Sequence, residues 1–260
     1  MMDEPIDDEL VKERWIDKLH LSWLYQIIIK PRRTLAQVVE AQHAAWLAPL
    51  LLLSLLALLL VRVSGMPRRI ATNIEYLPPD YEYYTPEQQQ QFQQAVEARR
   101  SHWMIYYLPA LGELSGIWLG WVLTGSALHL ALTLTGSRSG SRAAYNLAGW
   151  AMMPLAFRFI VQTVGTAATQ QLISQPGLSG FVGSAGGSYL GEMLSQVDIY
   201  FIWHVILLMI GALLMSGLSR RRAWLATAGA VVVVMALNAL PGFLIAQLSD
   251  LGSSQSFFFF

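Results

Sequence analysis

Apolar residues gather in five long runs separated by polar segments, and the clearest run fixes how the others are read. From Ile199 to Leu218, twenty consecutive residues include no Asp, Glu, Lys or Arg. A helix of that length rises about 30 Å, the thickness of a bilayer's hydrocarbon. Asp198 and the aromatic trio Tyr200, Phe201 and Trp203 mark one interface, and Arg220, Arg221 and Arg222 mark the other. Similar runs predict spans over 44–62, 110–136, 143–168, 199–218 and 223–246, with Pro49, Pro154 and Pro241 as places where a helix bends. The expected fold is an all-α integral membrane protein of five transmembrane helices, its membrane domain covering 44–250.

The polar segments are patterned too. Within Leu10 to Lys30, Trp15, Leu19, Trp23 and Ile27 recur at every fourth position. That spacing predicts an amphipathic helix on the inner leaflet, within a cytoplasmic segment 1–43. Trp15, Trp23, Lys30, Arg32 and Arg33 are its candidate membrane-surface contacts; packing of the same helix against the spans is the alternative. The segment 66–109 reads as an outer polar loop. In it Thr85-Pro86-Glu87 is a helix start, a capping hydroxyl followed by proline and an acid, and the helix is expected to run to Tyr107. A glycine-rich connector follows over 170–196, with an interfacial turn near Tyr189 to Leu194, and the tail 251–260 ends in four phenylalanines.

Composition sharpens this picture by exclusion. The chain is 54% hydrophobic and 13% charged, where a soluble domain carries about 25% charge. Its formal net charge of zero argues against nucleic acid as a partner. With no cysteine, disulfides, thiol nucleophiles and thiolate metal sites are excluded. No HExxH, phosphate loop or dinucleotide glycine pattern occurs, so no catalytic, cofactor-binding or metal-binding residues are expected and no enzyme activity is predicted.

Charge also orients the spans. Eleven basic residues fall before the first span, at Arg138 and Arg142, and at Arg220 to Arg222; five (Arg62, Arg68, Arg69, Arg99 and Arg100) fall on the other side. This bias places the N-terminus in the cytoplasm and the C-terminus outside. Counting 1.5 Å per residue, Arg158, His204 and Asn238 then share the outer half of the bilayer. Glu113 and Asp198 lie at its rim, placed to neutralise Arg158, since an unpaired charge in hydrocarbon costs at least about 2.5 kcal/mol. These five form a candidate intramembrane polar cluster, read first as a structural ion pair and second as a transport site. Gly112, Gly116 and Gly120 recur on one face of the second span and predict close approach by another helix, of this chain or of a partner.

Three stretches stand in an order that resembles the Yip domain family of Ypt/Rab-interacting membrane proteins, its prokaryotic branch in particular. They are IIIKPRRTLAQVVE (27–40), AYNLAGWAMMPL (144–155) and DIYFIWHVILLMIGALLMSGLSRRRAW (198–224). The resemblance implies a non-enzymatic five-span adaptor or scaffold in a prokaryotic plasma membrane, working through the lipid bilayer, other membrane proteins or self-association. It also implies small-GTPase binding, by family analogy alone. A second resemblance is narrower: Gly177-Leu178-Ser179-Gly180 is similar to the serine element of rhomboid proteases, with His204 on the following span. The spacing after His204 departs from that pattern, which leaves intramembrane proteolysis a distant alternative.

The charge bias yields a direct test. A reporter active only in the cytoplasm should report when fused after residue 140 or 222 and stay silent at 90, 185 and 260. Activity at 185 would overturn the five-span orientation.

Overall fold

The computed structural model describes residues 19–73, 81–172, 177–181 and 188–255. Trp15, the connector glycines Gly183, Gly186 and Gly187, and Phe257 to Phe260 fall outside them. Among the described residues the regular elements are helices, with no strand: α1 (Leu21–Ile29), α2 (Pro31–Glu40), α3 (Leu47–Asn73), α4 (Pro86–Arg100), α5 (Leu108–Leu134), α6 (Ser141–Ala151), α7 (Met153–Thr169), α8 (Tyr189–Ser195), α9 (Ile199–Ser216) and α10 (Arg220–Gln255), with three shorter turns. Five stretches are long and apolar enough to cross a membrane: Leu47–Ile70, Trp103–Leu134, Ser141–Thr169, Ile199–Ser216 and Arg220–Gln247. The third consists of α6 and α7, joined at Met152 beside Pro154.

Several boundaries differ from the sequence reading. The helix α3 runs through Pro67 to Asn73 rather than ending near residue 62, which brings Arg68 and Arg69 onto the span expected to end at Arg62. Pro49 is the third residue of α3 and bends nothing, because the amide it lacks would have no partner inside that first turn. The polar helix α4 begins at the Thr85 capping box but stops at Arg100, where Ser101 takes extended dihedrals (φ −61°, ψ 151°). Trp103–Tyr107 instead form a π turn that leads straight into α5.

The chain divides into two compact units. The first comprises Met1–Leu52, Leu119–Leu155 and Gln175–Phe260. At its centre is the short α2, which packs on both α6 and α9 and buries Thr34, Leu35 and Val38 at helical spacing. They join a core with Ile27, Leu128, Leu132, Leu147, Trp150, Leu207 and Leu208. Close packing is made possible at Gly149, where a Cβ would press on Trp46, and at Gly211, where it would overlap Leu147.

The break between α2 and α3 would leave backbone groups stranded in this core, and α6 supplies their partners. Asn146, fully buried, donates from Nδ2 to the carbonyls of Val38 (3.4 Å) and His43 (3.0 Å), and its Oδ1 accepts from Ala45 N (2.9 Å). One helical turn on, Trp150 Nε1 donates to Ala45 O (2.8 Å); one turn back, Arg142 donates to Gln42 O. Three side chains at i, i+4 and i+8 thus run along one connector.

Helix α1 has features of both readings given for it, a face packed on the protein and an open apolar face. Trp23 and Ile27 turn toward the protein: Ile27 is in the core, and Trp23 meets Trp150 edge-on at 5.5 Å and stacks on His20 at 3.9 Å. His20 and His43 share a hydrogen bond of 2.8 Å. The apolar face left open is Leu21, Tyr25, Ile28 and Ile29. Both faces of α1 are apolar, so periodicity alone could not choose between them.

The second unit comprises Leu53–Trp118 and Ala156–Ser174. Here the ring of Tyr106 lies over Gly65, where any side chain would collide with it, and Trp118 Nε1 donates to Ser54 Oγ (3.2 Å).

Removing the α6 partners should therefore loosen the first unit in proportion to the backbone groups stranded. A stranded buried group costs about 1–3 kcal/mol. Trp150→Phe strands one carbonyl and Asn146→Leu strands three groups, so unfolding in mixed micelles should show Asn146→Leu as clearly the more damaging. Equal losses would mean that the connector is held by packing instead.

Candidate functional site

The polar residues singled out from the sequence have distinct settings. In the second unit, α5 presents Glu113 within electrostatic reach of Arg68 on α3 and Arg158 on α7. Arg68 also donates to the carbonyl of Ile105 (3.2 Å). That carbonyl needs a donor, because its helical partner four residues on is Pro109, which has no N–H. Arg62 and Arg69 lie near the Tyr106 ring, 5.8 and 5.9 Å from its centroid, and Arg69 reaches His102 Nε2 at 3.3 Å. An acid, four arginines and an aromatic face are gathered in one unit.

In the first unit, His204 is buried and its Nδ1 bonds to Ala151 O at 2.8 Å. A carbonyl can only accept, so Nδ1 carries the proton. The break at Met152 explains why this carbonyl is available: Leu155 N donates to Met152 O rather than one residue further back. Asp198 caps α9, accepting from Phe201 N at 2.8 Å. Asn238 departs from the buried setting expected of it, lying on an exposed face of α10. Exposure is set by which side of α10 packs on α8 and α9, and residue depth does not reveal that side.

Ser179 belongs to a short 3-10 turn, Ser179–Phe181. The glycine two residues before it, Gly177, has a backbone requirement of its own. Its φ is +60°, and a Cβ would meet the carbonyl oxygens of Ser195 and Val197 at 2.5 and 2.7 Å. This accounts for the glycine without a nucleophile. Among the described residues no group of three or more His, Cys, Asp or Glu could hold a metal ion.

Gly112, Gly116 and Gly120 form their stripe on α5, yet among the described residues nothing lies within 4 Å of where a Cβ would stand on any of them. Sequence reasoning missed Arg68, having assigned it to a loop. The signal was present in Val61, Ser64, Gly65 and Arg68, which continue the helical spacing; the first three are buried.

The sequence profile of the Yip1 domain matches residues 25–241. The chain belongs to the Yip1 domain family. No curated protein and no solved structure matches it significantly. The Yip1 domain thus opens inside α1, closes at Pro241 in α10, and takes in Asn146, Trp150, His204 and both arginines beside Glu113. With five apolar helices of spanning length, this Yip1 domain protein is an integral, multi-pass membrane protein.

The charge trio makes an ordered prediction. Glu113→Gln would leave Arg68 and Arg158 as like charges, whereas Arg158→Leu would leave a balanced pair. Glu113→Gln should therefore cost more stability, about 3 kcal/mol, the low end for breaking a buried pair because these side chains are only half-buried. Adding Arg158→Leu to Glu113→Gln should restore part of it in a double-mutant cycle. A strictly additive double mutant would remove the trio as a unit.

Proposed function

We propose that this Yip1 domain protein is an adaptor or scaffold subunit that holds other membrane proteins, or copies of itself, within a prokaryotic plasma membrane, with its N-terminus in the cytoplasm. The carrying observation is a contrast among helical glycines. Gly65, Gly125, Gly149 and Gly211 each have a side chain of this chain pressed against them, while the stripe of Gly112, Gly116 and Gly120 has none among the described residues. A glycine face in lipid earns its place by letting a helix backbone come close.

Two further features support the reading. The last span is the least covered, 17% buried over its apolar window against 56% for the third, and it presents Asn238 on an open face. An exposed asparagine inside a span is suited to bonding across to another helix. The buried polar side chains of the first unit are meanwhile engaged with backbone: Asn146 and Trp150 on the connector, His204 on Ala151. Small-GTPase binding enters by family analogy, through the N-terminal segment.

A second reading, an accessory component of a transporter, is favoured by one observation, the gathering of Arg68, Glu113 and Arg158 on apolar helices. Intramembrane charges of this kind are costly and often mark a solute path.

The scaffold reading is tested at Gly116. Because a side chain there meets nothing in the described chain, Gly116→Ile should leave melting in mild detergent unchanged while removing a subunit that co-purifies with the wild type, or the wild-type self-association. Retention of both would mean that the stripe faces lipid.

A further inference from the structure

The elbow between α1 and α2 encloses a cavity of about 320 Å³, lined on its polar side by Tyr25, Gln26, Lys30, Arg33, Thr34 and Gln37. We propose that this cavity binds the phosphate of an anionic phospholipid, whose acyl chains lie along the open face of α1.

Charge is the first argument. The lining carries two cations, Lys30 and Arg33, and no acid, while the glutamines and the tyrosine hydroxyl can bond to phosphate or glycerol oxygens. The start of α2 adds to the same field. Pro31 takes its first position, where a missing N–H costs nothing, and the following amides of Arg32 and Arg33 stand at the positive end of a ten-residue helix. Thr34 is already committed to the fold, its N and its Oγ1 both donating to Lys30 O at 3.1 Å. That bond holds the elbow in shape.

Hydrophobic surface decides which anion. Tyr25 and Ile29 line the cavity and are also 57% and 67% exposed, continuous in sequence spacing with the open Leu21 and Ile28. A free phosphate would satisfy the cations and leave these four apolar side chains uncovered. A phospholipid covers both. Its acyl chains bury the α1 face at about 25 cal/mol per Å², and a single phosphodiester fits a cavity at the small end of the range for ligand sites, about 300 Å³. A choline headgroup would bring its own cation toward Lys30 and Arg33, so zwitterionic lipid should bind less well than phosphatidylglycerol.

The site goes beyond scaffolding and does not rest on it: Gly116→Ile should leave lipid binding intact even where it abolishes assembly. The test uses the full chain in neutral detergent and a short-chain phosphatidylglycerol carrying a fluorophore on one tail. Saturable binding is expected, with phosphatidylcholine and inorganic phosphate each competing at least tenfold less well than unlabelled phosphatidylglycerol. Lys30→Gln with Arg33→Gln should weaken binding at least tenfold at unchanged melting temperature, since both side chains are exposed. Ile29→Gln should weaken it for the lipid alone. Three results would overturn the proposal. The first is the same loss from Arg221→Gln with Arg222→Gln, which indicates diffuse attraction to basic charge. The second is equal competition by phosphatidylcholine. The third is displacement by inorganic phosphate as effective as by lipid, with Ile29→Gln silent, which marks a free-anion site.

Discussion

A carbonyl without a hydrogen-bond donor costs several kcal/mol in hydrocarbon, and this chain repeatedly exposes such carbonyls where helices start or break and then covers them. Ala45 lies just before α3, and Trp150 donates to its carbonyl. Pro109 cannot donate to Ile105, and Arg68 does. The break beside Pro154 opens Ala151, and His204 closes it. On α10, which has no break at Met235 or Ala236, the same kind of tie recurs: their carbonyls receive Gln196 Nε2 at 3.1 Å and Tyr189 Oη at 2.6 Å. In each case a polar side chain from another element reaches a particular carbonyl, which ties helices together at defined points in a solvent that offers no hydrophobic drive between them.

This constraint explains why α2, only ten residues long, stands at the centre of the first unit. A short helix with broken ends is a poor lodger among membrane helices unless its terminal carbonyls are met. Asn146 meets that of Val38, and Arg142, Asn146 and Trp150 together meet three carbonyls of the segment that follows. With its ends served, α2 can bury Leu35 and Val38 completely. It also holds α1 beside it, since the two helices share the Lys30 junction. The geometry of the elbow, including the cation-lined cavity, follows from a hydrogen-bonding requirement on the far side of the same helix.

The five spans were legible because length and lack of charge are properties of contiguous sequence, and so was the capping box at Thr85. The partners of Asn146 were not. The residue stands in the stretch AYNLAGWAMMPL, but the groups it serves are 101 to 108 positions away, and no periodicity carries such a pairing. The end of the first span was misplaced for a related reason. Arg68 and Arg69 read as loop residues when charge is taken to mean exposure, whereas an aromatic ring, a freed carbonyl and a glutamate let a helix carry them further. The α1 face was ambiguous because tryptophan is equally at home in an interface and in a core.

The same arginines bear on orientation. Five basic residues fall on the side that charge bias assigns to the exterior, which weakens the asymmetry if all five are weighed as free loop charges. Three of them are not free in that sense. Arg62 and Arg69 lie near the Tyr106 ring, and Arg68 donates to the Ile105 carbonyl within electrostatic reach of Glu113. Their presence answers to the packing of α3 and the π turn, where Gly65 admits the Tyr106 ring. Only Arg99 and Arg100 remain as ordinary helix-end charges, in the last turn of α4, where they complement the helix dipole. The proposed cytoplasmic N-terminus then sets these two against the six basic residues before the first span and the cluster at Arg220 to Arg222.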